Sequence, residues 1–179
     1  RQGKELRSTI NALLKERIAQ GALIEFTVPG LPTVFAAPEL FEMKRAKRDN
    51  RVRLLSPFDN AVIHRTRIER IFDFNYSIEC YTPKPKRKFG YFCLPILYQE
   101  ALVGRADCKA DRKNKQLDVL HLHIETPIVD QEEFDDALAQ ALQKFAAFNS
   151  CDVYTVHKIS RSKARSKGSE DKIKGVRVT

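Results

Sequence analysis

Between Tyr76 and Ile124 the hydrophobic pattern has a period of two, and no other feature limits the possible folds of this chain so strongly. Tyr76 to Tyr81 sets Tyr76, Ile78 and Cys80 against Ser77, Glu79 and Tyr81. Gly90 to Tyr98 is a longer apolar run, in which Pro95 asks for a sheet edge or a bulge. Residues 101–109 place Leu102, Gly104, Ala106 and Cys108 on one face and Val103, Arg105, Asp107 and Lys109 on the other. Residues 116–124 alternate Leu120, Leu122 and Ile124 against Val119, His121 and His123. Four such stretches with short connections predict an antiparallel sheet, curled or closed into a small barrel.

Helical periods flank this region. Phe134, Ala137, Leu138, Ala141, Leu142, Phe145 and Phe148 form an apolar stripe over 131–148, with Asp130 as N-cap and Glu133 at the third position, a capping-box pattern. The stripe is expected to pack on the sheet, and Asp135 and Asp136 to offset the helix dipole. Near the start, Leu6, Ile10, Leu13, Leu14 and Ile18 share one face of a helix over 4–20, and Gly21 suits its left-handed end. Strands at 22–28 and 33–37 follow, joined by Pro29-Gly30-Leu31-Pro32. Helix, strand, turn, strand is the second half of a winged helix. The fold expected is therefore α+β: the carboxy-terminal half of a winged helix (1–43), a basic connector (44–53), and a barrel-like antiparallel sheet with its helix (54–159). One last strand is expected at 152–159, and a flexible, polar, basic tail at 160–179. The chain begins at Arg1, without an initiator Met and without the first half of the winged helix, so a piece of a longer protein is expected.

Charge narrows the partner. Lys plus Arg number 32 against 23 acids, a formal net charge of +9. Such an excess favours a polyanion. The connector holds Lys44, Arg45, Lys47, Arg48, Arg51 and Arg53 with only Asp49 opposing, so its cations must face solvent or phosphate. The sharpest local feature is Thr82-Pro83-Lys84-Pro85-Lys86-Arg87-Lys88-Phe89-Gly90. Between two expected strands it reads as a hairpin tip, stiffened by prolines. Its cations Lys84, Lys86, Arg87 and Lys88 suit phosphate contact, and Tyr81, Phe89 and Tyr91 beside them could stack on an exposed base. Arg48, Arg51, Arg105 and Lys109 complete the set of candidate DNA contacts. Arg105, Asp107 and Lys109, sharing a strand face, could equally neutralise one another in a structural ion network.

Other chemistries find little support. Cys80, Cys93, Cys108 and Cys151 form no CxxC pair and read as reduced core thiols. His121 and His123 lie two apart on one strand face but lack a third metal ligand nearby, and His64 and His157 are isolated, so no metal is expected. No phosphate-binding loop, dinucleotide fingerprint, nucleophile elbow or HExxH motif is present. No catalytic residue and no cofactor are therefore assigned. No apolar run approaches the roughly 20 residues that span a bilayer, and no signal peptide precedes the first helix; a cytoplasmic, DNA-associated protein without membrane contact is expected.

Five motifs stand in order from Leu54 onward: Leu54-Leu55-Ser56-Pro57-Phe58-Asp59; Arg65-x-Arg67-x-Glu69-Arg70-x-Phe72; Tyr76-x-Ile78-Glu79-x-Tyr81-x-Pro83; Lys86-Arg87-x-x-Gly90-Tyr91-Phe92-x-Leu94-Pro95; and Gly104-Arg105-x-Asp107-x-Lys109-Ala110-Asp111-Arg112. In this order the stretch resembles the bacterial winged-helix DNA glycosylases of the YcaQ/AlkZ type. The resemblance implies tandem winged helices followed by a small β-barrel, and double-stranded DNA, alkylated or crosslinked, as partner. The activity implied is removal of N7-alkylated purines and unhooking of interstrand crosslinks by N-glycosidic hydrolysis. It also implies a catalytic Gln-apolar-Gln or Gln-apolar-Asp motif amino-terminal to the part matched here. Gln116-Leu117-Asp118 fits by spelling, but it follows the barrel motifs and receives no catalytic role. Two competing readings are a winged-helix regulator, which predicts sequence-selective binding, and a non-catalytic interaction module, which predicts no DNA binding at all.

Overall fold

The computed structural model describes residues 2–28, 30–44, 47 and 49–162, and the chain divides into two compact units, residues 1–47 and residues 48–179. In the first unit, α1 (Gln2–Ala19) is followed by a hairpin of β1 (Ile24–Phe26) and β2 (Val34–Ala36), paired antiparallel with Glu25 opposite Phe35, and by the short α2 (Glu39–Glu42). Gly21 sits at φ +72, the left-handed conformation expected just past a helix end. No described residue of this unit is buried.

The second unit is a six-stranded, curled half-barrel, ordered β3 (Val52–Leu54), β4 (Cys93–Tyr98), β5 (Ala101–Asp111), β6 (Gln116–Ile124), β7 (Val153–Val156), with β8 (Ile159–Arg161) also on β6. Helices α3 (Asn60–Ile63) and α4 (Arg65–Phe72) precede β4, and α5 (Gln131–Phe148) lies between β6 and β7. The helix α5 has the limits that its apolar stripe predicts, and Asp130 caps it by accepting from the Glu133 N–H. The capping box is only half made. Glu133 turns outward to accept from Asn50 (2.6 Å) and the Tyr98 hydroxyl (3.1 Å), tying the helix start to the sheet edge. Phe134, Leu138 and Leu142 are fully buried with Ile96, Val119, Leu122 and Val156, whereas Phe148, past the last covered turn, is exposed. A second cluster gathers Val62, Ile68, Phe74, Tyr76 and Leu102. Between these clusters β5 is buried without a break from Leu102 to Asp107. Among the described residues no helix is long and apolar enough to cross a membrane.

The structure corrects four expectations. The sheet is not wholly antiparallel: β7 and β8 run parallel to β6, because α5 is a crossover that brings the chain back in the same direction. Tyr76–Tyr81 is extended in pattern but belongs to no sheet. The place beside β4 is taken by β3, and the Leu55 N–H donates to the Pro95 carbonyl. The segment is held instead through side chains, with Phe74 and Tyr76 buried and the Tyr76 hydroxyl donating to the Cys93 carbonyl at 2.6 Å. Residues 82–90 are therefore not a hairpin tip but part of an irregular loop, 79–92, with a 3-10 turn at Lys84–Lys86. Of the two places expected for Pro95 the bulge holds and the edge does not: it lies in an interior strand beside a register shift at Ile96/Leu97. The start of the polar tail also carries structure: Ser160 pairs with His123 in the sheet, while residues 163–179 lie outside those described.

Candidate nucleic-acid interface

Loop 79–92 carries four cations within five residues, Lys84 to Lys88, and four anchors fix its backbone. The Glu79 carboxylate accepts from the N–H groups of Lys88 (3.0 Å), Phe89 (2.9 Å) and Gly90 (3.1 Å). Burial acts to raise the Glu79 pKa, but these three N–H groups together with the charge of Arg105 outweigh it and hold the carboxyl below its ordinary range. Asp107 accepts from the N–H groups of Tyr91 and Phe92, each at 3.1 Å. Only glycine fits at position 90 for this reason: a Cβ there would lie 2.1 Å from the Asp107 carboxylate, on a backbone at φ +154. At the other end, Arg87 donates from Nε to the Thr82 carbonyl (2.8 Å) and lies over the Tyr91 ring, 4.8 Å from its centroid.

The fourth anchor is His121, which begins a chain of hydrogen bonds whose direction follows from chemistry. A carbonyl only accepts, so His121 Nδ1, 3.1 Å from the Phe89 oxygen, must carry a proton. In the neutral ring Nε2 is then a bare acceptor, and the Ser160 hydroxyl donates to it at 2.6 Å. Ser160 Oγ can next accept from His123 Nδ1–H (2.6 Å), leaving His123 Nε2 to accept from Ser162 (3.3 Å). Burial lowers the pKa of both histidines from 6.5; the Phe89 carbonyl opposes this at His121, and Glu125 at His123. The folded chain thus binds fewer protons than the unfolded one as pH falls through 6.5, so the second unit is expected to lose stability over that interval. Urea unfolding at about pH 7.5, 6.5 and 5.5 measures the loss; a flat midpoint would count against the relay. Long-range proton–nitrogen correlation spectra at the highest of these pH values should show both rings protonated on Nδ1.

The structure places the sequence-predicted residues very differently. Lys84, Lys86 and Lys88 are exposed on the loop. Arg87 is half-buried and spent on the loop's own shape. Lys109 is exposed on β5, opposite Asp118 of β6. Arg51 is paired with Asp49 at 2.8 Å, and Arg53 also donates to that carboxylate. Arg48 lies outside the described residues. Arg105 points inward. It is 2% exposed, pairs with Glu125 through Nε (2.6 Å) and Nη2 (3.1 Å), donates to the Asn75 carbonyl (2.8 Å), and sits 4.1 Å from the Phe89 ring centroid and 4.6 Å from that of Phe74. Its partner is therefore Glu125, and Asp107 serves the loop backbone.

Sequence reasoning passed over a second group of cations. The β5–β6 turn holds Arg112, Lys113 and Lys115, shaped by Asp111, which accepts from the N–H groups of Lys113 and Asn114. Cys93 begins β4 opposite Asp107, and β5 continues beyond that pair to Asp111. The turn and loop 79–92 consequently stand at one end of the sheet, and the signal for this was the register, which the sequence does not carry. Exposed aromatic side chains accompany the loop cations: Tyr81 at 91%, Tyr91 at 53% and, packed near Phe92, Phe58 at 67%.

No comparable constellation for bond chemistry occurs among the described residues. Gln116 Nε2 donates to Asp118 (2.9 Å), which also bonds His157 (2.8 Å), and Leu117 is buried; these side chains join β6 to β7. A cleft of about 490 Å³ between β3 and α5 is lined by Arg51, Arg53 and Lys144 against Glu133 and Asp136, a mixture of signs in which the Glu133 carboxylate is engaged by Asn50 and Tyr98. Among the described residues no group of three or more His, Cys, Asp or Glu is placed to hold a metal. All four cysteines are free thiols, and burial pushes Cys93 up to about 12, far from a reactive thiolate. The chain matches no solved structure. The family model described as DNA glycosylase AlkZ-like matches residues 4–148, most of the chain, which therefore belongs to the AlkZ-like DNA glycosylase family.

Proposed function

We propose that this chain is the DNA-holding, carboxy-terminal region of a repair glycosylase that removes N7-alkylated purines and unhooks interstrand crosslinks. Family membership supports DNA repair and a DNA substrate. The observation that carries the reading further is loop 79–92, where Lys84, Lys86 and Lys88 project from a backbone fixed by Glu79 and Asp107. A preorganised cationic loop loses little freedom on meeting phosphate. Lys109 and the turn cations Arg112, Lys113 and Lys115 extend the same surface. The helix α1 with its hairpin β1–β2 is the second half of a winged helix, a further DNA contact, and the protein acts in the cytoplasm on the chromosome.

In the reaction, water attacks the deoxyribose C1′ while the alkylated base departs with the bonding electrons. N7 alkylation has already made that base a good leaving group, so positioning and electrostatic stabilisation of the sugar cation remain. The side chain that places the water does not come from Gln116-Leu117-Asp118, whose polar ends are engaged with each other and with β7. The role of the described residues is affinity and alignment.

Replacing Lys84, Lys86 and Lys88 together with Ala is expected to weaken duplex binding and to flatten its salt dependence. The slope of log K against log salt should fall by about 0.9 for each phosphate that the variant no longer neutralises. Arg87 is left in place because it holds the loop. Fluorescence anisotropy over roughly 50–200 mM salt measures this; an unchanged slope would take the loop off the DNA surface. Strong selectivity between unrelated duplexes would favour a regulator instead.

A further inference from the structure

We infer that Tyr81 is a stacking platform for a single unstacked nucleobase, so that loop 79–92 prefers DNA in which one base has left the helix over intact duplex. The inference rests on the DNA reading above and adds the kind of DNA that the loop recognises. Tyr81 is 91% exposed, the most open aromatic side chain among the described residues. Its surroundings are unlike a floppy tip. Two residues before it, Glu79 holds three N–H groups of the same loop, and immediately after it the Thr82 carbonyl accepts from Arg87, which itself lies over Tyr91. The backbone on both sides is therefore fixed while the ring stands open to solvent. An open ring on a fixed backbone loses little freedom when a flat partner covers it.

The chemistry around the ring identifies that partner. Lys84, Lys86 and Lys88 follow closely along the chain, all exposed, and select a polyanion. An aromatic face beside cations suits a strand whose bases are free to stack while its phosphates meet ammonium groups. Paired bases inside a duplex offer only their edges to a groove, and a tyrosine ring gains little from them. A base that is bulged, flipped or left opposite a gap presents its π-face. The other open rings of this surface are already engaged: Tyr91 with Arg87, and Phe58 with Phe92 at 6.2 Å between centroids.

The test compares three labelled DNAs of equal length by anisotropy at fixed salt: an intact duplex, a duplex with one bulged adenine, and a single strand. The full chain is used. Wild type is expected to bind the bulged duplex more tightly than the intact one. Tyr81→Ala should cut that ratio by about tenfold, the scale of one base–aromatic stack, and Tyr81→Phe should restore it, since the ring and not the hydroxyl is used. A wild-type ratio near one, or a ratio that survives Tyr81→Ala, overturns the inference. Preference for the single strand over both duplexes in wild type, lost in Tyr81→Ala, supports stacking and identifies an open strand as the source of the base. The salt slope of the lysine variant is a separate measurement, so failure of the phosphate reading and failure of the stacking reading are told apart.

Discussion

Gly104→Ala is expected to destabilise the half-barrel unit strongly. A Cβ at this position would lie 2.3 Å from the backbone carbonyl oxygen of His123 and 3.1 Å from the Cα of Ile124. Both are main-chain atoms of β6, held in register with β5, so neither can swing aside as the end of a side chain would. Relief must come from opening the β5–β6 ladder, and β5 is bonded on its other side to β4 through Gly104 opposite Ile96. Overpacking a core typically costs about 1–3 kcal/mol, and a clash with two fixed backbones belongs at or above the upper end. Gly3, in α1, is the control: a Cβ there meets nothing within 4 Å, and Gly3→Ala should leave unfolding unchanged or gain up to about 1 kcal/mol from helix propensity. Urea unfolding of both variants measures the difference. A Gly104→Ala protein with an unshifted midpoint would mean that the two strands do not approach this closely.

How far the sequence alone could lead depends on whether the deciding contact is local. The limits of α5 were readable because its stripe and its cap lie within one segment, and β6 was readable because its alternation is uninterrupted. The segment 76–81 misled because alternation reports only which side chains are buried. Phe74 and Tyr76 are buried without a strand beside them, and periodicity cannot tell that from a ladder. The strand β3 was hidden among cations, its one buried residue being Val52. The parallel pairing of β7 and β8 follows from the crossover through α5, which has no local signature. At the interface the lysines were legible as an exposed cluster. The anchors were not: Glu79, Asp107 and Ser160 act on Gly90, Tyr91 and His121 from 11, 16 and 39 residues away. The fork between a DNA-facing Arg105 and an internal one was open for the same reason, since its partner Glu125 lies 20 residues along the chain.

Arg105→Met is therefore expected to act on stability first and on DNA only through the loop. The guanidinium is enclosed by Phe74, Tyr76 and Phe89 and satisfied by Glu125 and the Asn75 carbonyl. Its removal leaves a carboxylate without its cation and three rings without the charge between them. Breaking a buried pair from one side costs about 3–5 kcal/mol; Glu125 keeps 23% of its side chain in contact with solvent and can rehydrate in part, which places this change near the lower figure. Arg105→Lys should recover little, because an ammonium cannot serve both carboxylate oxygens and lie flat between rings. Adding Glu125→Gln to Arg105→Met should return part of the loss by removing the stranded charge. A surface phosphate contact predicts the opposite pattern: near-normal unfolding, weaker DNA binding, a salt slope reduced by about one unit, and substantial rescue by Lys. Denaturant unfolding and anisotropy on the same three proteins separate the cases, and normal stability in Arg105→Met would return this arginine to the DNA surface.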